Sequence, residues 1–400
     1  MGGIRVLILA ALTLVLGCTP WGYHDRLPAS RHDLVFDKLA ATWDEGIPLG
    51  NGMVGALIWK KGDSLRMSLD RADLWDLRPV AEFSGPEFRF AWVRDHVLKN
   101  DYDPVHRMGD VPYDRDPAPT KIPAAALEFD VSALGEVESV RLSLSEAVCR
   151  VKWKNGARLT AFVHGTEPVG WFQIEGLPAG VRPKLVPPAY AAVVPTSEVE
   201  KNSLNPRSLA SLGYSKPELS ADETSIRYHQ EGRGGMSYEV AVDWKLPEGG
   251  VLTGAWSISS IYPETEAGSV ACGRGNELAP VSAAHALKRT FARDLESHTA
   301  WWKAYWARST VSLPDPVLEK QWFLETYKFG AASRRGAPLV TLQAVWTADD
   351  GSLPPWKGDF HNDLNTQLSY WPCYSGNHLE EGLAFLDWLW AIKPRCEEYT

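Results

Sequence analysis

The first part of the chain, about residues 34–262, alternates hydrophobic and polar positions with the period of two that is typical of β-strands. The runs LRMSL (residues 65–69) and YEVAVDW (residues 238–244) are two examples. Runs of this kind recur between glycine and proline residues, which favour turns. Many short strands with tight connections predict an antiparallel β-sandwich.

Two short stretches predict turns inside this sandwich. In VKWKNGARLTAFV, Asn155-Gly156 lies between two alternating runs, which is the strongest local signal for a β-hairpin. In WDEGIPLGNGMVGALIW, residues 50–52 predict a turn and residues 54–59 a buried strand. Residues 187–221 are rich in Pro, Ser and Asn and predict a long loop or a weakly structured insertion.

After about Ser282 the hydrophobic period changes to 3.6, which predicts helices. One helical face is expected to contain Ala284, Leu287, Phe291, Leu295, Trp302 and Trp306. A new helix is expected at Asp315-Pro316, because Asp is a good N-cap and Pro suits the first helical position. Its buried face is expected to contain Leu318, Trp322, Glu325 and Phe329. A strongly apolar helix is predicted for residues 378–392.

The order of these patterns predicts a multidomain α+β protein. An antiparallel β-sandwich is expected at residues 30–278, a helical linker at 279–312 and helical hairpins at 313–400. A chain of this length can bury a large core, so its stability should not depend on disulfides or metals.

The first 18 residues have the pattern of a bacterial lipoprotein signal peptide. Arg5 precedes an apolar run at residues 6–16, and Gly17-Cys18 follows. The run is too short to span a bilayer, which needs about 20 residues, but it suits the core of a signal peptide. We therefore expect an exported protein on the periplasmic or outer-membrane face, touching the membrane only through a lipid on Cys18. An ordinary cleaved signal is the alternative.

The composition narrows the classes of partner and cofactor. The chain has 41 Lys and Arg against 50 Asp and Glu and no basic run, which argues against nucleic acid as a partner. The four cysteines besides Cys18 allow three disulfide pairings, among which the sequence does not choose. None has the spacing of metal ligands, so neither a zinc site nor a cofactor is predicted. The 18 tryptophans suit either a core or stacking on sugar rings.

The stretch GDFHNDLNTQLSYWP, residues 358–372, concentrates two acids, a histidine and several amides just before an apolar segment. Helical spacing over its second half places Asp363 and Gln367 on one face with an aromatic ring. A carboxylate beside amides can orient a water and stabilise developing charge, as hydrolysis requires. The alternative is a solvated surface helix whose first turn is capped by Asp359 or Asn362.

The residues that flank this motif have structural interpretations as well. Trp346, Trp356 and Trp371 are candidates for a sugar subsite, since large rings beside clustered amides resemble a sugar pocket, but core packing is expected for at least two of them. Glu380 and Glu381 are expected in the solvated first turn of the following helix, where acids complement the helix dipole.

Taken together, the stretches WDEGIPLGNGMVGALIW, KIPAAALEFD and PPWKGDFHNDLNTQLSYWP resemble glycoside hydrolase family 95, whose best-known members are α-L-fucosidases. The resemblance covers nearly all of the chain after the signal peptide and is sharpest over residues 341–372. It implies an N-terminal β-sandwich, a helical linker and an (α/α)6 catalytic barrel, of which residues 313–400 would be the beginning. It also implies inversion: an acid protonates the leaving oxygen while a water attacks from the opposite face.

The same resemblance implies roles for residues of the motif. His361 matches a histidine that contacts the sugar, and Asn365 matches the second of two asparagines that hold the attacking water. Asp363 stands where the first asparagine is usual; it is a candidate catalytic residue and a departure from the pattern. An amide can donate to a water or a sugar hydroxyl, whereas an ionised carboxylate only accepts. The candidate substrate-binding residues are His361, Trp356, Trp371 and Gln367.

The implied general acid and a distal aspartate would lie downstream of the motif, beyond Thr400, so the 400-residue chain is expected to be incomplete. The expected function is an inverting glycoside hydrolase acting on terminal α-L-fucosyl or related sugars of an oligosaccharide or polysaccharide. The alternative is a carbohydrate-binding surface lipoprotein that has lost catalysis. A third option is a relative of the sandwich-plus-(α/α)6 phosphorylases, which would need a phosphate site that the sequence does not reveal.

Overall fold

The computed structural model describes residues 27–115, 117–191, 208–262 and 282–400. The predicted signal peptide and its Cys18, as well as Cys272 and part of the predicted insertion, lie outside these ranges.

The β-rich part of the described chain runs from Leu34 to Ile261. Its strands are β1 (Leu34–Phe36), β2 (Ile47–Gly50), β3 (Val54–Lys61), β4 (Ser64–Arg71), β5 (Trp75–Asp76), β6 (Thr120–Lys121), β7 (Ala125–Asp130), β8 (Val137–Ser143), β9 (Val148–Trp153), β10 (Arg158–Val163), β11 (Val169–Glu175), β12 (Lys184–Val186), β13 (Glu218–Ala221), β14 (Ser225–Glu231), β15 (Ser237–Glu248) and β16 (Val251–Ile261). Nine of them form one antiparallel sheet in the order β1-β8-β9-β10-β11-β16-β15-β14-β13. Five form a second sheet, β12-β7-β4-β3-β2, and β5 pairs with β6.

The two large sheets share one hydrophobic core. The core cluster contains residues of both sheets, and Phe129 on β7 meets Phe172 on β11 edge to face with ring centroids 5.0 Å apart. Apolar burial of this kind stabilises by roughly 25 cal/mol per Å². The predicted antiparallel β region, followed by a helical region, is confirmed; the toroidal form of the helical part remains a prediction.

Both turns predicted in the β region are present. The β9–β10 hairpin closes with a hydrogen bond from Gly156 N–H to the Trp153 carbonyl (2.9 Å), and Gly156 has φ +94°, which favours glycine. In the second turn the Asn51 side chain accepts from Val54 N–H at 3.0 Å, directly before β3.

Strand β4 does not follow simple alternation, because both of its faces are buried. Met67 packs in the core, whereas Arg66 and Ser68 on the other face are covered by Asp349. The Asp349 carboxylate accepts from Arg66 Nε and Nη2 and from Ser68 Oγ, each at 2.6 Å. A loop of the helical region is thereby tied to the sheet.

The predicted loop at residues 187–221 is wrong at its end. Glu218–Ala221 forms the exposed edge strand β13, which pairs with β14. The strand is short and exposed along its length, so it has no buried alternation by which the sequence would reveal it.

The helices of the described chain fall into an insert and a C-terminal group. They are α1 (Phe90–Leu98), α2 (Asp103–Asp114), α3 (Ala283–Ala286), α4 (Phe291–Trp306), α5 (Pro316–Ala332), α6 (Asn365–Tyr370), α7 (Pro372–Ser375) and α8 (Leu379–Tyr399). The insert, α1 and α2, lies between β5 and β6 in the chain.

Five of the six residues predicted on one helical face pack inward: Leu287, Phe291, Leu295, Trp302 and Trp306. The expectation of one continuous face is wrong, because the helix is interrupted. α3 ends at Ala286, and α4 restarts after Thr290, whose hydroxyl accepts from Arg293 N–H at 3.2 Å. Ala284 is exposed, while the buried residues of α4 are Asp294, His298, Trp302, Tyr305 and Trp306.

Helix α5 begins where predicted, and its predicted face is confirmed in part: Phe329 is buried and Trp322 packs against the core, whereas Glu325 is exposed. Asp315 caps it by accepting from Val317 N–H (2.8 Å) and Leu318 N–H (3.2 Å). Leu318 is exposed, and the buried residues are Glu319, Phe323, Tyr327, Phe329, Gly330, Ala331 and Ala332.

Helix α8 starts one residue after the predicted position and continues through Pro394 to Tyr399. In the described ranges no helix is both long and apolar enough to cross a membrane. Cys149, Cys373 and Cys396 are free thiols, so none of the pairings among these three is formed.

Candidate functional site

The motif that the sequence singled out follows a strained turn. Trp356, Lys357 and Gly358 have φ values of 53°, 57° and 60°, three consecutive residues in the left-handed region. For a non-glycine residue this conformation costs on the order of 1–3 kcal/mol, and it persists only where the surroundings hold it. Such strain is common at ligand sites.

The turn is held by the β5–β6 pair. The Thr120 hydroxyl donates to the Lys357 carbonyl at 3.4 Å. Gly358 packs so closely that a Cβ there would lie 2.8 Å from the Cβ of Lys121. After the turn, Phe360 stacks on Trp75 of β5 with ring centroids 5.3 Å apart. The β region therefore sets the position from which the motif starts.

Asp359 and His361 form the polar centre of the motif. Asp359 Oδ1 lies 2.7 Å from His361 Nδ1, an ion-pair contact whose angles are not those of an aligned hydrogen bond. The other carboxylate oxygen, Oδ2, accepts from the Tyr113 hydroxyl at 3.1 Å. Burial raises the pKa of Asp359, while His361, Tyr113 and Lys357 oppose that rise. The carboxylate thus has one partner inside the motif and another on α2.

The motif's helix is shorter than its sequence spacing predicts, and neither predicted residue caps it. α6 starts at Asn365, its N-cap residue is Leu364, and no side chain caps it. Asp359 is instead paired with His361, and the Asn362 carbonyl accepts from the Gln367 amide. Capping by Asp359 or Asn362 is therefore wrong, whereas most of residues 362–369 are exposed, as the surface-helix alternative expects.

Asp363 and Asn365, the candidate catalytic pair, are both exposed. The Asp363 carboxylate accepts from Leu364 N–H at 2.8 Å, a bond within its own turn. The Asn365 backbone carbonyl accepts from Ser369 Oγ. The Asn365 amide side chain lies at the surface. A carboxylate and an amide two residues apart, both open to solvent, can bind a water or a hydroxyl.

The remaining candidates for sugar contact differ in placement. Trp356 and Trp371 are 59% and 57% exposed, and Trp356 meets His361 edge to face at 6.0 Å between centroids. Gln367 is half-buried; its amide donates to the Asn362 carbonyl and its Oε1 is buried without a hydrogen-bond partner in the described residues. The structure therefore brings Trp356 next to His361 and turns Gln367 toward the backbone.

The two other predictions about flanking residues need correction. Trp346 is the one tryptophan of the three that packs inward, donating to the Leu49 carbonyl at 2.9 Å, so the expectation of two core tryptophans is wrong. Glu381 is buried, not solvated, because both of its oxygens accept from Arg308 at 2.9 and 2.6 Å. Glu380 is exposed and contacts Arg335.

Sequence reasoning missed Tyr113 and misread Asp359. Tyr113 lies near the end of α2 and gave no local signal, because nothing around it repeats the pattern of the motif. Asp359 was visible as an acid, but an Asp shortly before a helical pattern also suggests an N-cap.

A cavity of about 290 Å³ elsewhere in the fold does not involve the motif. It lies beside Arg66, Ser68 and Asp349, which are bonded to one another, and none of residues 356–371 lines it. In the described part of the chain, no group of three or more His, Cys, Asp or Glu side chains is placed to hold a metal ion.

Two family models match the chain in succession. Residues 34–252 match the model described as glycosyl hydrolase family 65, N-terminal domain. Residues 303–400 match the glycosyl hydrolase family 95 catalytic domain. The first match falls on the β-rich part, and the second contains the entire segment from Trp356 to Trp371.

Two curated relatives match shorter segments. A protein of Aspergillus niger named probable alpha-fucosidase A is 26% identical over 112 residues, which cover 22% of this chain and 14% of that protein. Alpha-L-fucosidase 2 of Arabidopsis thaliana is 33% identical over 86 residues, which cover 21% of this chain and 10% of that protein. Each match therefore spans a small part of the relative's length.

Proposed function

The chain belongs to the glycoside hydrolases that combine a family 65-type N-terminal domain with a family 95 catalytic domain, and from this premise we propose that it acts on terminal α-L-fucosyl or related sugars. The substrate is an oligosaccharide or polysaccharide. The names of the two matched relatives support the fucosyl part of this proposal.

The observation that carries the proposal is the exposure of the motif's chemistry. Asp363 and Asn365 are exposed, and so are the large rings of Trp356 and Trp371, which are more often buried. Trp356 lies in a strained turn that the β region holds in place, and the other three follow it. A fixed turn followed by solvent-facing polar groups and exposed rings fits recognition of a sugar.

In the proposed reaction, Asn365 and Asp363 hold the water that attacks the anomeric carbon. A carboxylic acid on the opposite side of the ring protonates the leaving oxygen, so the glycosidic bond breaks with inversion. The attacking water loses a proton to a carboxylate, and Asp363 is our candidate acceptor. His361, held beside Trp356, contacts the sugar. We assign the acid to none of the described residues.

The test is the anomer that the purified protein releases from an aryl α-L-fucoside. Inversion predicts that β-L-fucose appears first in the proton NMR spectrum and mutarotates later. First appearance of α-L-fucose would contradict an inverting mechanism, and loss of turnover in Asn365→Ala is the expected companion result. Removing a group that acts in the transition state typically costs about 100-fold or more in kcat.

A second candidate function is carbohydrate binding without catalysis at the cell surface. The observation that favours it is the state of the acids in the first turn of α8: Glu381 is bonded to Arg308 and Glu380 contacts Arg335. Neither is free to act as a general acid in this arrangement. Saturable binding of the aryl fucoside with no release of the aryl group would support this alternative over the hydrolase.

We also propose that the protein is exported and anchored through a lipid on Cys18. The apolar run at residues 6–16 and the Gly17-Cys18 junction support this. In a bacterial host fed a labelled fatty acid, the wild-type protein should carry the label and partition with membranes. Equal labelling of Cys18→Ser would contradict the proposal.

A further inference from the structure

The helical insert of the β region reaches the candidate sugar site. α1 has no buried residue, and Pro112 is the one buried residue of α2. Core packing therefore does not explain the position of the insert. The insert contacts the motif through Tyr113, near the end of α2.

Tyr113 contacts Trp356, Lys357 and Asp359 at the start of the motif. Its hydroxyl lies 3.1 Å from the Trp356 carbonyl and 3.1 Å from Asp359 Oδ2, so its single proton serves either oxygen. The Lys357 ammonium donates to the Tyr113 carbonyl and lies 4.5 Å from the centre of the tyrosine ring. One residue of α2 therefore bridges the strained turn and the carboxylate that follows it.

These contacts act on the groups that the sugar would meet. Trp356 carries the exposed ring, and Asp359 lies 2.7 Å from the ring nitrogen of His361. A hydrogen bond to the distal oxygen of a carboxylate fixes the plane of that carboxylate, and through it the orientation of the histidine. Preorganised groups lose less entropy when a ligand binds.

We propose that Tyr113 is a positioning residue of the sugar site, holding Asp359, and through it His361, in the orientation that receives the sugar. This inference rests on the proposed function for its ligand but not for its geometry. The β region and its insert then contribute to recognition indirectly, through Asp359 and His361.

The first test follows the Asp359 carboxyl in protein without sugar. Selective ¹³C labelling of aspartate carboxyls gives a titration curve, and the Asp359 signal is identified by its loss in Asp359→Asn. Tyr113→Phe removes the hydroxyl but keeps the ring beside Lys357, so it should raise the pKa of Asp359 further, because the carboxylate loses a donor. Tyr102→Phe is the matched control: Tyr102 lies at the start of the same helix, is exposed, and stacks on His106.

The second test measures affinity for methyl α-L-fucoside. Loss of a hydrogen bond to a charged group predicts roughly tenfold weaker binding in Tyr113→Phe, and a larger loss in Tyr113→Leu, which also removes the ring. Tyr102→Phe should bind like the wild type. An Asp359 titration in Tyr113→Phe that matches the wild type would overturn the positioning role. Absence of binding in every variant, including the wild type, would contradict the proposed function, while the titration would still decide the role of Tyr113.

Discussion

In the proposed site, Asp363 stands where the resemblance to family 95 implies an asparagine. It is exposed next to Asn365, and as a carboxylate it accepts hydrogen bonds but does not donate them. Asp363→Asn should therefore raise affinity for a fucoside by roughly 2- to 10-fold, because one donor is gained. Turnover should fall by about 100-fold or more, because the candidate proton acceptor is lost.

The control for this change is Asp387→Asn. It removes the same charge from an exposed residue of α8, which contacts Arg335. It should leave the response to the fucoside unchanged. Equal affinity and turnover in Asp363→Asn and the wild type would show that Asp363 does not determine the choice of sugar.

At the residue scale, the sequence located the motif but not its partners. The density of polar residues singled out Asp363 and Asn365, which are exposed, and their place in a site stays a prediction. The bond from Tyr113 to Asp359 joins residues 246 positions apart, and it exists only because β5 and β6 bring the insert beside the turn. No local pattern carries that information.

At the element scale, α5 is held to the N-terminal segment by a buried acid. Glu319 accepts from Leu313 N–H (2.8 Å), Arg31 Nη2 (2.8 Å) and His32 Nε2 (2.9 Å). These contacts lower the pKa of Glu319 from 4.5 to about 2, and the hydrogen bond from Leu313 N–H has the largest effect. The His32 ring also stacks on Phe323 at 4.0 Å.

The hydrogen bonds to the Glu319 carboxylate predict that the folded protein loses stability in acid. Because the pKa is lower in the folded state, the stabilisation is complete above about pH 4.5 and is lost as the pH falls through about 2. Glu319→Gln should flatten the dependence of the urea midpoint on pH across that window. Glu325→Gln, an exposed acid of the same helix paired with Lys328, should not. Parallel curves for wild type and Glu319→Gln would refute the role of this acid.

The same helix shows which features of an element can be predicted. Its start at Asp315 is local, since the cap bonds the next turn. Its buried face is not local: Glu319 is buried against His32, 287 positions earlier, while Leu318 of the predicted face is exposed. Likewise the helical stretch is interrupted between α3 and α4, and Thr290 caps the start of α4.

At the scale of the whole molecule, glycines let the β region and the helical region approach closely. A Cβ on Gly55 of β3 would lie 2.3 Å from the carbonyl oxygen of Val345, and one on Gly50 would lie 2.5 Å from that of Ala331. Gly52 N–H donates to the Ala331 carbonyl at 2.8 Å. The sequence predicted a turn and a strand here, which is confirmed, but not that the strand meets another domain.

Gly55→Ala should therefore destabilise the protein by about 1–3 kcal/mol, because the backbone of Val345 must move. Gly109→Ala in α2 is the matched control, since no atom lies within 4 Å of its added Cβ, and alanine in a helix should keep or raise stability by up to about 1 kcal/mol. Urea unfolding measures both. Equal effects of the two substitutions would contradict a tight junction.

If the segment from Trp356 to Trp371 binds a sugar, the indole N–H signals of these two tryptophans should report it. Both rings are exposed, so their NMR signals should shift and saturate as methyl α-L-fucoside is added, and His361→Ala should weaken the response. Signals that do not move at concentrations that fill millimolar sites would show that the segment does not bind this sugar, and an equal response in His361→Ala would remove His361 from the contact.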